Sequence, residues 1–239
     1  MKKLNLLLWL LTLIPPLIVT ATEMNKTILV GYVRIVDFID LVVMAPFIFT
    51  ITLGVHSAIY SQKPVSKDAW LSLVLIGLLL YGHAMHLTAN SINTYSTEIK
   101  DYRNLIPEDS YALIYFLDEQ LGHWLLYLGL FGAFSLWTWS CEISIHGWSS
   151  LLVCGFIFGI SYGVVIIESS QVWLTPLLAI LLIGSSAAAA KKQAQHFLSL
   201  VKHNPISQFT LMMAVGISIG TVVYFLITGG FVEPSKYGL

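Results

Sequence analysis

Charged side chains are scarce in this sequence: twelve basic and thirteen acidic residues among 239, or 10%. A soluble domain of this size carries roughly 25%, so most of the surface must face something other than water. The two signs nearly cancel, leaving a net charge of -1, which excludes the basic footprint of a nucleic-acid-binding protein. Cysteine is scarce as well. Cys141 and Cys154 lie in apolar surroundings without CxxC spacing, so neither a thiolate zinc site nor a disulfide scaffold is indicated. The CxxCH attachment signal of c-type haem is missing. There is no fixed-period repeat and no low-complexity tract beyond Ala187 to Ala190. The apolar runs lack the strict alternation of a membrane β-barrel strand.

Long apolar runs are what the chain has in quantity, with 56% hydrophobic residues. A membrane span needs about 20 predominantly apolar residues. Runs of that kind fall at 37–60, 70–92, 111–138, 148–168, 172–190 and 208–230, with short polar connections. The expected fold is an all-α polytopic membrane protein, a single bundle of six to seven transmembrane helices. Residues 1–21 form a signal peptide or a first transmembrane helix, and 22–239 form the helical membrane domain. Lys2 and Lys3 precede the apolar stretch Leu4 to Ile14, Pro15 and Pro16 break the helix, and Val19-Thr20-Ala21 suits signal peptidase. That order favours a cleaved signal peptide.

Basic residues set the orientation. Lys2, Lys3, Lys63, Lys67, Lys191, Lys192 and Lys202 would lie inside, against Lys26, Arg34, Lys100, Arg103 and Lys236 outside. This places the C-terminus on the non-cytoplasmic side. Trp70, Trp137, Trp139, Trp148 and Trp173 fall at span ends, where they would anchor at the headgroup level. The inner loop with Lys191, Lys192, His196 and Lys202 offers a surface for anionic lipid heads.

Ionisable residues within spans are functional candidates because they are expensive to keep there. In 70–92, His83, His86, Asn90 and Asn93 recur at i, i+3, i+7 and i+10, one stripe of a helix. In 111–138, Tyr115, Glu119, His123 and Tyr127 are each four apart, with Asp118 on the flank. At 1.5 Å per residue, His83 and His86 lie ~3 and ~7.5 Å outward of the midplane, and Glu119 and Asp118 ~6 and ~7.5 Å, with His123 near the centre. Consecutive antiparallel spans are neighbours. Three imidazoles and two carboxylates therefore share one slab of the outer half. Asp40, with Asp37 at i-3 and Arg34 one turn earlier, extends the set from the first span.

That constellation matches a metal site, with His83, His86, His123 and Glu119 as ligands and Glu119 or Asp118 as catalytic base. Asn90, Asp40 and Tyr115 would support them from behind. Three imidazoles suit zinc, while more carboxylates suit iron or manganese. The expected function is a metal-dependent membrane hydrolase acting on a lipid or lipid-linked substrate from the outer half of the bilayer. The alternative is a proton- or ion-coupled transporter using the same His/Asp/Glu groups. A third option is a haem-binding subunit, with His83 or His86 opposite His123, or a structural subunit held by polar contacts.

Other motifs carry less. Gly159-Ile160-Ser161-Tyr162-Gly163 matches G-x-S-x-G but lies within an apolar run rather than a strand-turn-helix. Gly155, Gly159 and Gly163, four apart, point to close helix packing, as do Gly216 and Gly220. His86-Leu-Thr-Ala-Asn90 followed by Ser161 in a later Gly-rich span resembles rhomboid intramembrane proteases in those residues alone, and no span after Ser161 contains the base His. The mixture of His and Asp is similar in kind to ceramidase and progestin-receptor-like membrane hydrolases. Their HxxxH pair on the last span has no counterpart in 208–230, so no residue is carried over.

Overall fold

A computed structural model describes residues 2–23, 28–30, 33–95 and 106–231. The chain is helical nearly throughout. In order come α1 (Lys2–Glu23), a short antiparallel ribbon of β1 (Ile28–Val30) and β2 (Val33–Arg34), and α2 (Ile35–Ile39). A π-helical turn, Asp40–Met44, leads into α3 (Ala45–Tyr60), followed by α4 (Lys67–Thr94). Then α5 (Glu108–Tyr115), a second π turn (Phe116–Gly122) and α6 (His123–Ser140) join end to end. α7 (Leu151–Glu168), α8 (Thr175–Lys192), α9 (Phe197–His203) and α10 (Pro205–Thr228) complete the chain. Among the loop residues used above for orientation, Lys26, Lys100, Arg103 and Lys236 lie outside the described residues, as does the side chain of Asp37.

Helix boundaries follow local chemistry. Ser66 caps α4 by accepting the Ala69 amide at 3.1 Å, with Asp68 in the first turn, where the helix dipole favours an anion. Asn204 caps α10 by accepting the Ser207 amide at 3.0 Å, and Pro205 follows at the first helical position. Gly229, at φ 70°, closes α10 in the left-handed region.

Five helices among the described residues are long and apolar enough to cross a membrane: Asp40–Tyr60, Lys67–Asn93, Leu151–Glu168, Val172–Lys192 and Pro205–Thr228. That marks a multi-pass membrane protein. The expected run 111–138 is helical, yet it is not one of the five. α6 carries His123, Tyr127, Trp137, Thr138 and Trp139 among its apolar residues, and these lower its hydropathy. It is nonetheless the middle of the bundle, with Leu130, Phe131, Phe134 and Trp137 fully enclosed.

The break expected at Pro15 does not occur, and α1 runs through both prolines without interruption. Proline is tolerated in helices of membrane proteins because neighbouring groups satisfy the freed backbone. Leu4, Leu8, Leu11 and Thr12, at i, i+4, i+7 and i+8, are buried against α3 and α7. The Trp9 indole donates to Ser150 Oγ at 3.3 Å, and Thr12 Oγ1 lies 3.1 Å from Cys154 Sγ.

Between lipid-facing helices there is little apolar transfer free energy to gain, so packing and polar contacts provide cohesion. Glycines set the two closest approaches. A Cβ on Gly155 or Gly159 of α7 would strike the backbone of Phe209 or Met213 on α10. The constant offset of these pairs makes the two helices parallel, as the packing reading of the glycines required. Between α4 and α6 the order reverses. Asp68 meets Ser140, Leu75 meets Gly132, Leu79 meets Gly129, Gly82 meets Leu126, and His86 meets Gly122. This antiparallel hairpin carries the polar residues.

Candidate functional site: a buried carboxylate and two imidazoles

The site is built where α4 crosses the π turn. Gly82 lies against the backbone of Gly122 and Leu126, and a Cβ on Gly122 would stand 3.1 Å from both the Cβ and the nitrogen of His86. With nothing larger than hydrogen between the backbones, the His86 ring reaches across. Its Nδ1 lies 2.7 Å from Asp118 Oδ1, and its centroid lies 4.4 Å from that of His123. The carboxylate is enclosed, its side chain only 3% exposed. The two atoms are in contact but not aligned as a directed hydrogen bond, so both are buried polar atoms without a well-placed partner.

Asp118 holds the second imidazole through its backbone. His123 Nδ1 lies 3.1 Å from the Asp118 carbonyl oxygen and 4.0 Å from Glu119 Oε2. One residue thus positions two rings, one with its side chain and the other with its main chain. His123 then faces Tyr127 at 5.8 Å between centroids, and the Tyr127 hydroxyl reaches Ser169 Oγ at 2.8 Å and donates to the Val165 carbonyl at 3.3 Å. Asp118, His86, His123 and Tyr127 thus stand in successive contact, the rings by packing alone, and hydrogen bonding resumes from Tyr127 to Ser169.

The π turn decides which acid turns inward. One extra residue per turn shifts the helical phase, so Asp118 is buried while Glu119 is about a third exposed. Tyr115, one turn earlier, is 43% exposed, and the four-residue stripe drawn from the sequence does not continue inward to it. Gln171 secures the turn from outside. Its Nε2 donates to the Glu119 carbonyl at 3.3 Å, while its Oε1 accepts the indoles of Trp124 and Trp173 at 3.1 and 3.0 Å.

The remaining expected residues are placed as follows. His83 lines a small crevice with Ala45, Ile48 and Phe49 of α3, its Nε2 buried without a hydrogen bond. Asp40 begins the first π turn and Asn90 lies half-buried on α4. Among the described residues, no three His, Cys, Asp or Glu side chains converge to hold a metal ion. The contact between the His86 and His123 rings leaves no space for a macrocycle between that pair.

Gln171 and Ser169 were not singled out from the sequence, nor was the buried knot in which Ser72 Oγ receives the Trp137 indole at 2.7 Å and meets His56 Nδ1 at 3.0 Å. Their only signal was a polar residue at the end of, or within, an apolar run. The chain matches no known family model, no curated protein and no solved structure.

Proposed function

We propose that this is a multi-pass membrane protein of six or seven spans that handles protons, as a proton- or ion-coupled carrier, through Asp118, His86 and His123. The distribution of lysines and arginines favours a C-terminus on the non-cytoplasmic side. The observation that carries the reading is the 2.7 Å approach of an enclosed carboxylate to an imidazole, with a second imidazole in ring contact. Enclosing ionisable groups between membrane helices is costly, so groups kept there are functional candidates. A proton can reside on the Asp118 carboxylate or on His86, and the 2.7 Å approach lets it pass between them. Tyr127 and Ser169 extend these contacts toward the end of α7.

The test is proton flux. Purified protein in liposomes containing a pH-sensitive dye should relax an imposed pH gradient faster than empty vesicles. His86→Ala and Asp118→Asn should each remove most of that flux. Identical flux in the wild type and both variants would end the reading.

A second reading, a metal-dependent hydrolase of lipid or lipid-linked substrates, is favoured by one observation. Imidazoles that ligate metals usually have the other ring nitrogen held by a carboxylate or carbonyl. Here Nδ1 of His123 lies on the Asp118 carbonyl and Nδ1 of His86 touches the Asp118 carboxylate, leaving Nε2 of each for a ligand. Zinc, iron or manganese would be the ion. Elemental analysis separates the readings: near-stoichiometric metal that disappears in a His86→Ala/His123→Ala variant would favour the hydrolase.

A further inference from the structure

A second polar site, separate from the carboxylate and imidazoles above, lies at the opposite end of the α4–α6 hairpin. The C-termini of α3, α6 and α8 and the N-terminus of α4 surround a cavity of about 350 Å³. That is the lower end of the range in which small-molecule pockets fall. Its wall carries Tyr60, Lys63, Asp68, Ser140, Glu142 and Lys192. Two cations and two anions around one small space make the lining neutral but strongly polar.

Several of these groups are prepared for a guest. Tyr60 is only 4% exposed, and its hydroxyl lies beside Ser140, enclosed behind the cavity wall. Ser140 Oγ donates to Asp68 Oδ2 at 3.2 Å, which fixes that carboxylate at the wall. Lys192 Nζ stands 4.4 Å over the Trp139 ring, which holds the ammonium in place without neutralising it. Lys63 pairs with Glu142, but both side chains are more than half exposed, so exchanging that pair for a ligand costs little.

We propose that this cavity binds a zwitterion carrying an ammonium at one end and a phosphate at the other, in the form of an aminophospholipid headgroup. Lys63 and Lys192 take the phosphate, and Asp68 accepts from the ammonium. The position at the ends of membrane-crossing helices puts the cavity at headgroup level, and Ala58 and Ile59 in its lining face the start of the acyl region. An ammonium with N–H groups is required, because a quaternary ammonium has no hydrogen to donate.

The experiment is native mass spectrometry of the full-length protein, delipidated in detergent and offered phosphatidylethanolamine, phosphatidylcholine and phosphatidylglycerol in equal amounts. Phosphatidylethanolamine should be retained about tenfold over the others, and Lys192→Ala or Asp68→Asn should each cut its retention about tenfold. Lys192 is exposed, so that variant should fold, and Lys202→Ala, away from the cavity, should change nothing. Displacement by soluble O-phosphoethanolamine would show that the headgroup alone suffices, and failure to displace would show that the lipid itself is the ligand. Equal retention of all three lipids, or retention unchanged in both variants, would overturn the proposal.

Discussion

Asp118 makes two different contacts from one position, a carboxylate to His86 and a carbonyl to His123, and the two can be separated by substitution. Asp118→Ala removes only the first, leaving the partly exposed His86 ring beside a void. The expected cost is about 3 kcal/mol, read as a lower midpoint in detergent unfolding, while His123 keeps its carbonyl. Tyr127→Phe removes a hydroxyl that bonds Ser169 and Val165 and should cost about 1 kcal/mol, visible in the same assay. That His86 and His123 share a depth with the Asp118–Glu119 pair was legible in the sequence, because depth along two consecutive spans is a matter of counting. The inward turn of Asp118 rather than Glu119 was not. Neighbours on a helix differ by ~100°, and only the π turn settles the phase. Outside the spans, the Lys63 ammonium beside Glu142 holds its carboxyl below the ordinary 4.5. A depressed carboxyl contributes stability above its ordinary value and loses that contribution as pH falls through the lowered one. An NMR titration of Glu142 should therefore move upward toward 4.5 in Lys63→Ala. Global stability at neutral pH should hardly change, because the pair is exposed and screened by water.

Among the elements, the α4–α6 hairpin is governed by glycine rather than by side-chain shape. Gly129→Ala places a methyl into the backbone of Leu79, where nothing flexible can yield. Overpacking of this kind costs about 1–3 kcal/mol, and the variant should lower the unfolding midpoint accordingly. Gly132→Ala meets only the end of the Leu75 side chain and should be milder. The contrast between the two is the measurement. Nothing in the composition of Phe116–Gly122 announces a π turn, since its residues suit an α-helix equally. The phase change comes from tertiary partners, Gln171 on the Glu119 carbonyl among them. The break expected at Pro15 failed for a related reason. Proline disrupts a helix through its missing N–H and a clash with the carbonyl four residues back, and among membrane helices neighbouring groups satisfy what is freed.

Across the whole molecule, five of the six apolar runs were legible to within about three residues, because a span is a length before it is a shape. The role of residues 2–23 was less so. A basic start, an apolar stretch and small residues serve a signal peptide and a first span equally well, and Leu4, Leu8, Leu11 and Thr12 are buried in the bundle when the segment is present. If the segment is a first span, the intact mass of protein purified through a C-terminal tag should include residues 1–21. A mass beginning near residue 22 would show cleavage instead. Leu8→Asn, placing an amide in that buried stripe, should lower the unfolding midpoint if the helix is retained and leave it unchanged if it is removed.

The hairpin of α4 and α6 has the character of a slide rule. Asp68 and Ser140 are read against each other at one end, and His86 and Gly122 at the other, along a single scale ~27 Å long. Glycine contacts between the ends act as detents that admit one setting. A single residue inserted between Ser72 and Gly82 would leave the chain able to keep its reading at either end but not at both. The two polar sites are thereby tied to one ruler, and a change in length at one is a change of register at the other.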